Sequence, residues 1–199
     1  MKHKNLLAAA LCAALVLSVG SCSFLSRRSD DQGSDYYEDI SSDEVSPSDV
    51  ETEEYGNEEV GWLTLDSGFH KWYDPDAPAT CVQYAKSPYD IYSMNYYDTA
   101  EMSAQIGMEF NANIAAQVQY MGMEEEQTDG TIEKLTAARV KLGDYDAYQV
   151  YCHYPNDNQY LVIWFMDSPD ATKVYYLSAE FLDTDMDFFD YAETYRMPE

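Results

Sequence analysis

The stretch Leu161-Val162-Ile163-Trp164-Phe165 decides the fold, because all five consecutive residues are apolar. Successive side chains of a β-strand point to opposite faces of its sheet. A strand that is apolar at every position is therefore buried on both faces. We place this strand centrally in a sheet that is covered on each side.

The central strand belongs to a predicted run of four consecutive strands. Polar turns separate the last three of them, and short turns of this composition join antiparallel neighbours. The four strands are expected near Ile132–Leu142, Ala147–Tyr154, Tyr160–Met166 and Lys173–Leu182.

Further strands precede this run. Val60–Leu65 reads as an opening strand, and a proline-rich loop, Asp74–Pro78, follows it. Thr80–Ala85 and Asp90–Tyr97 flank the turn Lys86–Tyr89, which predicts a hairpin.

Helices are expected on both sides of the sheet. Between Thr99 and Gly122 apolar residues recur every three or four positions, which predicts one long amphipathic helix. Its apolar stripe consists of Met102, Ile106, Phe110, Ile114, Val118 and Met121. A short helix over Met186–Met197 should pack Phe188, Phe189, Ala192 and Tyr195 on the opposite side. The expected fold class is α+β: an antiparallel sheet of about six to seven strands, flanked by one long helix and a C-terminal helix, over residues 60–199.

The first 21 residues have the features of an export signal. Two lysines near Met1 precede an apolar run from Leu6 to Leu17. Twelve helical residues span about 18 Å, which is too short for a hydrocarbon core of roughly 30 Å. We therefore expect a signal peptide over residues 1–21.

The signal ends in Val19-Gly20-Ser21-Cys22, which resembles the bacterial lipobox. The resemblance implies cleavage between Ser21 and Cys22, and a diacylglycerol thioether on Cys22. Two or three acyl chains hold a protein stably on a bilayer. The expected location is the outer face of the cytoplasmic membrane, with the membrane bound through this lipid anchor. The alternative is an ordinary secretory signal with a chance cysteine.

Residues 22–59 are predicted to be the lipidated cysteine followed by a disordered acidic tether. Ser23–Glu59 contains thirteen acidic residues, two basic residues and few aliphatic ones. Such a segment cannot bury an apolar face, and its like charges extend it. A spacer is the simplest role, and an acidic docking or cation-collecting segment is the alternative.

The charge balance excludes nucleic acid as a partner. The chain has 37 acidic residues against 11 Lys and Arg, and a formal net charge of -26. Proteins bind phosphate backbones by replacing counterions with Lys and Arg. The single basic run here, Arg27-Arg28, lies beside the expected anchor.

The order and spacing of these elements resemble the PsbP-like superfamily. The stretches that carry the resemblance, within residues 60–199, are Gly61–Leu65, Val140–Tyr151 and Tyr160–Trp164. The sequences of these stretches are most similar to those of small exported lipoproteins of Gram-positive bacteria. The superfamily includes a photosystem-associated subunit, a nuclear Ran-binding factor and secretion-linked chaperones. The resemblance implies a domain that binds other proteins and does not catalyse.

The expected domain carries few groups suited to catalysis. It contains two histidines, His70 and His153, and lacks the G-x-S-x-G, glycine-rich phosphate-loop and H-E-x-x-H motifs. We predict no catalytic residue and no cofactor. A hydrolase that uses His70 or His153 with nearby carboxylates is the alternative.

Two further groups of residues were candidates for sites. Asp183, Asp185 and Asp187 begin like a calcium loop, but Phe188 stands where that loop requires Gly, so we predict a helix cap and no metal. Cys81 and Cys152 are the candidate disulfide pair, and two reduced, buried cysteines are the alternative.

Tyrosines are abundant, and several alternate along predicted strands: Tyr92, Tyr96, Tyr148, Tyr151 and Tyr154. Half-buried packing explains this pattern, and an aromatic face that binds a peptide, a glycan or a partner protein is the alternative. The leading hypothesis is a non-enzymatic, lipid-anchored binding or accessory domain of the cell envelope. A purely structural surface protein is a further alternative.

Overall fold

The computed structural model describes residues 51–182 and 187–199. The expected signal peptide, the lipidation site and most of the tether lie outside these residues, as do Asp183 and Asp185. Within the described ranges, no helix combines the length and the apolar character that crossing a membrane requires.

Seven antiparallel strands form the main sheet in the order β3-β4-β5-β9-β8-β7-β6. The predicted hairpin and the predicted run of four strands are both confirmed. The strands are β3 (His70–Trp72), β4 (Val82–Ala85), β5 (Ile91–Asp98), β6 (Glu133–Leu142), β7 (Tyr145–Tyr154), β8 (Gln159–Asp167) and β9 (Lys173–Leu182).

The deciding stretch lies in β8, an interior strand between β7 and β9. Val162 and Trp164 are buried in one hydrophobic cluster, and Ile163 and Phe165 are buried in a second. Because consecutive residues point to opposite faces, the two clusters lie on the two faces of the sheet. The predicted burial of both faces is confirmed.

A second, two-stranded sheet joins β1 (Thr52–Asn57) to β2 (Gly61–Asp66). The opening strand therefore exists, but it does not extend the main sheet. Strand β1 lies within the stretch that we assigned to the disordered tether, so that boundary was placed too late. Tyr55 secures it: its ring packs edge-on against Tyr84 at 5.0 Å, and its hydroxyl donates to the Phe69 carbonyl at 3.0 Å.

The prediction of a single long helix was wrong in one respect. The chain forms two helices here, α1 (Thr99–Ile106) and α2 (Ala112–Asp129). Gly107 ends α1 with φ at 71°, in the left-handed region. The Asn111 side chain then caps α2 by accepting the Ile114 amide at 3.0 Å. Phe110 has helical spacing but lies in the connection, where it is buried.

Helix α2 also continues past its predicted end at Gly122. It ends instead at Gly130, whose φ is 81°. The Met, Glu and Gln residues after Gly122 are strong helix formers, so they extend the helix beyond the predicted end.

The last helix, α3 (Asp187–Glu193), lies on the opposite side of the sheet from α2, as predicted. We call the side covered by β1, β2 and α3 the closed face, and the side covered by α1 and α2 the grooved face. On the closed face Tyr195 donates its hydroxyl to the Val60 carbonyl at 2.7 Å. A backbone bridge between Trp62 and Arg196 holds the C-terminal residues against β2.

Candidate functional site: a groove at the edge of the sheet

An open groove with a cavity volume of about 460 Å³ lies between α2 and the edge of the sheet. Helix α2 forms one wall, and strands β6 and β7 form the other. Its lining residues are Asn113, Ala116, Gln117, Tyr120, Met121, Ala137, Ala138, Arg139, Tyr148 and Gln149. A volume of this size suits a small ligand or a few residues of a peptide.

Small side chains create the groove. Ala137 is exposed on the face of β6 that points to α2, where a larger β-branched residue would usually fill the surface of a strand. Ala116 is buried on the facing side of α2. Because these side chains are short, the helix and the edge strand leave space between them.

The groove combines aromatic and amide groups. Tyr120 and Tyr148 are half-buried, so each presents a ring to the core and an accessible edge. Met121 is 39% exposed although we assigned it to the buried stripe of the helix. Asn113 and Gln117 add side-chain amides that both donate and accept hydrogen bonds.

Arg139 is the one charged residue of the lining. Its guanidinium lies 3.4 Å from Asp146 Oδ2, and Lys141 Nζ lies 3.1 Å from Asp146 Oδ1. The hydrogen bond and the positive charge of Lys141, together with Arg139, lower the pKa of the Asp146 carboxyl. Two cations share one exposed carboxylate, so this end of the groove keeps a local positive charge.

The ten lining residues include no carboxylate, histidine, cysteine or hydroxyl of Ser or Thr. A hydrolytic site needs a nucleophile or an activated water and a base within hydrogen-bond reach. The groove therefore provides groups for binding: aromatic surface, amides and a guanidinium.

Cys81 and Cys152, the candidate disulfide pair, are not bridged. Cys81 directly precedes β4, Cys152 lies in β7, and three strands separate these two. At about 4.8 Å per strand the separation is roughly 19 Å, whereas a disulfide needs Cα atoms within about 7 Å. The structure therefore favours the alternative of two unbridged cysteines over the candidate disulfide. Burial raises the pKa of the Cys152 thiol to about 12, so it remains protonated in the core.

The two histidines do not form a common site. His70 is exposed on the edge strand β3, and His153 lies in β7, with four strands between them. His153 is 8% exposed; its Nδ1 lies 3.2 Å from Glu133 Oε1, and its ring stacks on Tyr160 at 4.4 Å. Its Nε2 is buried with no hydrogen-bond partner among the described residues.

The alternating tyrosines do not form a single aromatic face. Tyr92, Tyr96 and Tyr151 belong to the cluster of the closed face, and Tyr148 and Tyr154 to that of the grooved face. Tyr92 and Tyr154 are buried, and the other three are half-buried. Of the five, Tyr148 lines the groove.

Several predicted sites lie outside the described residues. Ser21, Cys22, Asp183 and Asp185 are among them. In residues 51–182 and 187–199, no group of three or more His, Cys, Asp or Glu side chains is placed to hold a metal ion.

Most of the groove was not predicted from the sequence. Arg139, Gln149 and the pair Ala137-Ala138 have no motif around them. The signal that could have found them is the pair of small residues in a strand that also carries Arg139 and Lys141. Alanine is depleted in strands, so two alanines in succession at exposed positions indicate a place where side chains leave the surface of the strand unfilled.

No protein-family model and no curated protein matches the sequence of the chain. Solved structures do match. The structure of cyanobacterial PsbP (CyanoP) from Synechocystis sp. PCC 6803 matches with a TM-score of 0.51 and 10% sequence identity, covering 74% of this chain and 93% of that one. The chain has a PsbP-like fold.

Two further structures match this PsbP-like domain less well. A protein from Bacteroides thetaiotaomicron VPI-5482 has a TM-score of 0.41 and 9% identity, covering 69% of this chain and 45% of that one. The Saccharomyces cerevisiae Ran-binding protein Mog1p has a TM-score of 0.40 and 13% identity, covering 67% of this chain and 78% of that one. Identities this low leave function open, because one fold serves many functions.

Proposed function

We propose that the chain is a non-enzymatic binding or accessory domain of the cell envelope, held on the membrane by a lipid on Cys22. The groove between α2 and the β6–β7 edge is the surface at which it binds its partner. The observation that carries this proposal is the lining of the groove, which offers aromatic rings, amides and Arg139 without an acid–base pair.

The groove has the composition of binding surfaces. Tyrosine, methionine and arginine are enriched in protein interfaces, and the groove contains all three: Tyr120, Tyr148, Met121 and Arg139. A partner that covers Met121 would remove apolar surface from water, which favours association. The same chemistry suits a peptide or a glycan, whose polar groups would bond to Asn113 and Gln117.

Blocking the groove tests this binding role. Ala137→Trp places a large ring in the groove, and we expect it to reduce recovery of a partner from solubilised membranes. Thr136→Trp is the matched control, because Thr136 is the preceding exposed residue of β6 and does not line the groove. Recovery that is equal for both variants and the unchanged chain would contradict the proposal.

The lipid anchor is a separate part of the proposal and rests on Val19-Gly20-Ser21-Cys22. Cys22→Ala should abolish labelling by a fatty-acid analogue and release the protein into the medium, because the acyl chains that hold it on the bilayer can then no longer be attached. Cys12→Ala is the control, and it should leave labelling unchanged. Membrane retention of Cys22→Ala without a lipid would contradict the anchor.

An envelope hydrolase is the second candidate, and the contact between His153 and Glu133 favours it. In that role Glu133 would orient the ring and Nε2 would act as the base, so the buried Nε2 would first have to become accessible to a substrate. His153→Asn should then abolish hydrolysis of ester or peptide substrates by the purified chain. If the unchanged chain has no such activity, His153 is one member of the aromatic stack on the closed face.

A purely structural surface protein remains the third candidate. It should tolerate replacement of groove residues without a phenotype. Tyr148→Ala in the producing cell separates this candidate from the binding role, because the binding role predicts a phenotype that matches loss of the protein.

A further inference from the structure

The two edges of the main sheet differ greatly in length. Strand β3 forms one edge with three residues, and β6 forms the other with ten. Strand β6 pairs with β7 on one side, and none of the described strands pairs with its other side. A long edge presents a row of backbone donors and acceptors that can pair with another chain.

The hairpin between β6 and β7 shows which groups of β6 point outward. Its loop has two residues, Gly143 and Asp144, with φ of Gly143 at 53°, as in a type II′ turn. The residues that flank such a loop, Leu142 and Tyr145, form a hydrogen-bonded pair, and such pairs then alternate along the ladder. The backbone groups of Ala137, Arg139 and Lys141 therefore point away from β7.

The same three residues lie beside the groove. Arg139 is directly opposite Tyr148, and Ala137 is directly opposite Val150, which belongs to the cluster under α2. Directly opposed residues share a face of the sheet. A strand added to β6 would thus send every second side chain into the groove between β6 and α2.

Positive charge is concentrated on this edge. The Lys and Arg residues of the described ranges are Lys71, Lys86, Lys134, Arg139, Lys141, Lys173 and Arg196, and three of these seven lie on β6. Glu133 is the one acidic residue of the strand. In a chain with a formal net charge of -26, this edge is the place where an acidic segment meets cations.

We propose that the partner supplies an extended acidic peptide segment that adds as a strand to the outer edge of β6. This inference rests on the proposed function. Its backbone pairs with Ala137, Arg139 and Lys141, its apolar side chains enter the groove, and its carboxylates contact Arg139 and Lys141. Backbone pairing gives this mode its affinity, and the side-chain pockets give it specificity.

Lysine on an edge strand also has a simpler role, since it discourages pairing between copies of a protein. That role needs no groove and no particular set of amides. The two roles therefore predict different responses to changes in a peptide backbone, which makes them separable.

The first experiment titrates the full chain with a synthetic peptide in which Thr alternates with Tyr or Glu, so that Tyr and Glu share the face that points to the groove, Arg139 and Lys141. Two derivatives carry N-methyl groups on alternate amides, one on the first set and one on the second. Strand addition predicts that one derivative binds about tenfold more weakly or worse and the other binds like the parent, because only one set of amides faces β6. Equal binding by the two derivatives, or no binding by the parent, would overturn the proposal.

The second experiment follows backbone hydrogen exchange with and without the peptide. The amides of Ala137, Arg139 and Lys141 should exchange about tenfold more slowly when the peptide is bound. The amides of Ala138 and Val140, which face β7, should change little. Protection that spreads evenly over all five amides, or that appears at β3, would contradict pairing at this edge.

The charge requirement has its own matched pair of variants. Lys141→Glu should weaken peptide binding about tenfold, because a favourable contact becomes a repulsive one. Lys71→Glu makes the same change in net charge on the opposite edge strand, and it should leave binding almost unchanged. Equal losses in both variants would show that overall charge decides binding and would overturn the proposed contact.

The acidic stretch Asp30–Asp49 of the chain itself is the rival occupant. A full chain with these carboxylates replaced by amides tests it. If the peptide binds only to the neutralised chain, the chain's own segment occupies the edge and the partner proposal is overturned. If the peptide fails with every form while Ala137→Trp still reduces partner recovery, strand addition is wrong and the proposed function stands.

Discussion

The closed face and the grooved face cover the same sheet in different ways. On the closed face, rings stack from one element to the next: Tyr160 on Phe181 at 5.7 Å, Phe181 on Phe188 at 4.9 Å, and Phe188 on Tyr92 at 5.1 Å. On the grooved face, α2 buries mainly small residues, among them Ala112, Ala115 and Ala116. Large rings fill one interface, and short side chains leave space at the edge of the other.

This difference separates stability from binding. Buried aromatic side chains remove much apolar surface from water, so the closed face contributes strongly to the free energy of folding. The exposed side chains of the groove bury little apolar surface, so shortening them should change the free energy of folding only slightly. Substitutions on the two faces should therefore affect different measurements.

The largest effect should come from the aromatic stack. Phe188→Ala removes a fully buried ring, and we expect a loss of about 3–5 kcal/mol in the free energy of unfolding, measured by denaturant titration. Phe189→Ala is the matched control, because Phe189 is only partly buried, and its loss should be smaller. Equal losses would show that α3 is not seated on the closed face as described.

A smaller effect should follow from the ion pair at the end of β2. Asp66 accepts from Lys86 Nζ at 2.7 Å and from the Gly68 amide at 2.7 Å. Burial raises the pKa of Asp66, but the Lys86 and Gly68 hydrogen bonds outweigh burial, so the pKa is lowered overall. Asp66→Asn should cost about 1–3 kcal/mol at neutral pH, because a partly buried network loses its charge.

The pH dependence of this loss checks its origin. A carboxyl with a lowered pKa in the folded state stabilises the protein above its unfolded pKa, and that stabilisation disappears as pH falls through the folded pKa. The difference in stability between Asp66→Asn and the unchanged chain should therefore shrink below about pH 4. A difference that is constant from pH 7 to pH 3 would exclude the charge as its cause.

The smallest effect on stability should come from the groove. Met121→Ser shortens an exposed side chain, so the free energy of unfolding should change by less than about 0.5 kcal/mol. Met123→Ser is the control on the same helix, because Met123 is buried, and it should destabilise the domain clearly. A large loss from Met121→Ser would show that the groove is closed in solution.

The sequence predicted the strands better than the helices. Strands β6 to β9 were recognisable because apolar stretches alternate with short polar turns, and both signals are local. The break between α1 and α2 was missed because Phe110 keeps the helical spacing although it lies in a loop. Gly107 was the contrary signal, but an isolated Gly inside a helical pattern is also tolerated.

The groove was harder to predict because it exists only through tertiary structure. It depends on how closely α2 approaches β6, and the alanines on both elements carry no chemical pattern. Met121 fits the apolar stripe of the helix as well as any buried residue does, but it lies on the side of α2 that lines the groove. Strand β1 was missed because its acidic composition predicts disorder. The sequence gives no sign that the ring of Tyr55 anchors the strand to the domain.

Site-specific photo-crosslinking in the producing cell tests binding through the groove most directly. A photoreactive side chain replaces Met121 in the groove or, as the control, Tyr73, which is 82% exposed beside the opposite edge strand β3. We predict a discrete protein adduct from position 121 that is lost when Ala137→Trp is added, and no such adduct from position 73. Equal adducts from both positions, or an adduct at 121 that survives Ala137→Trp, would contradict binding through the groove.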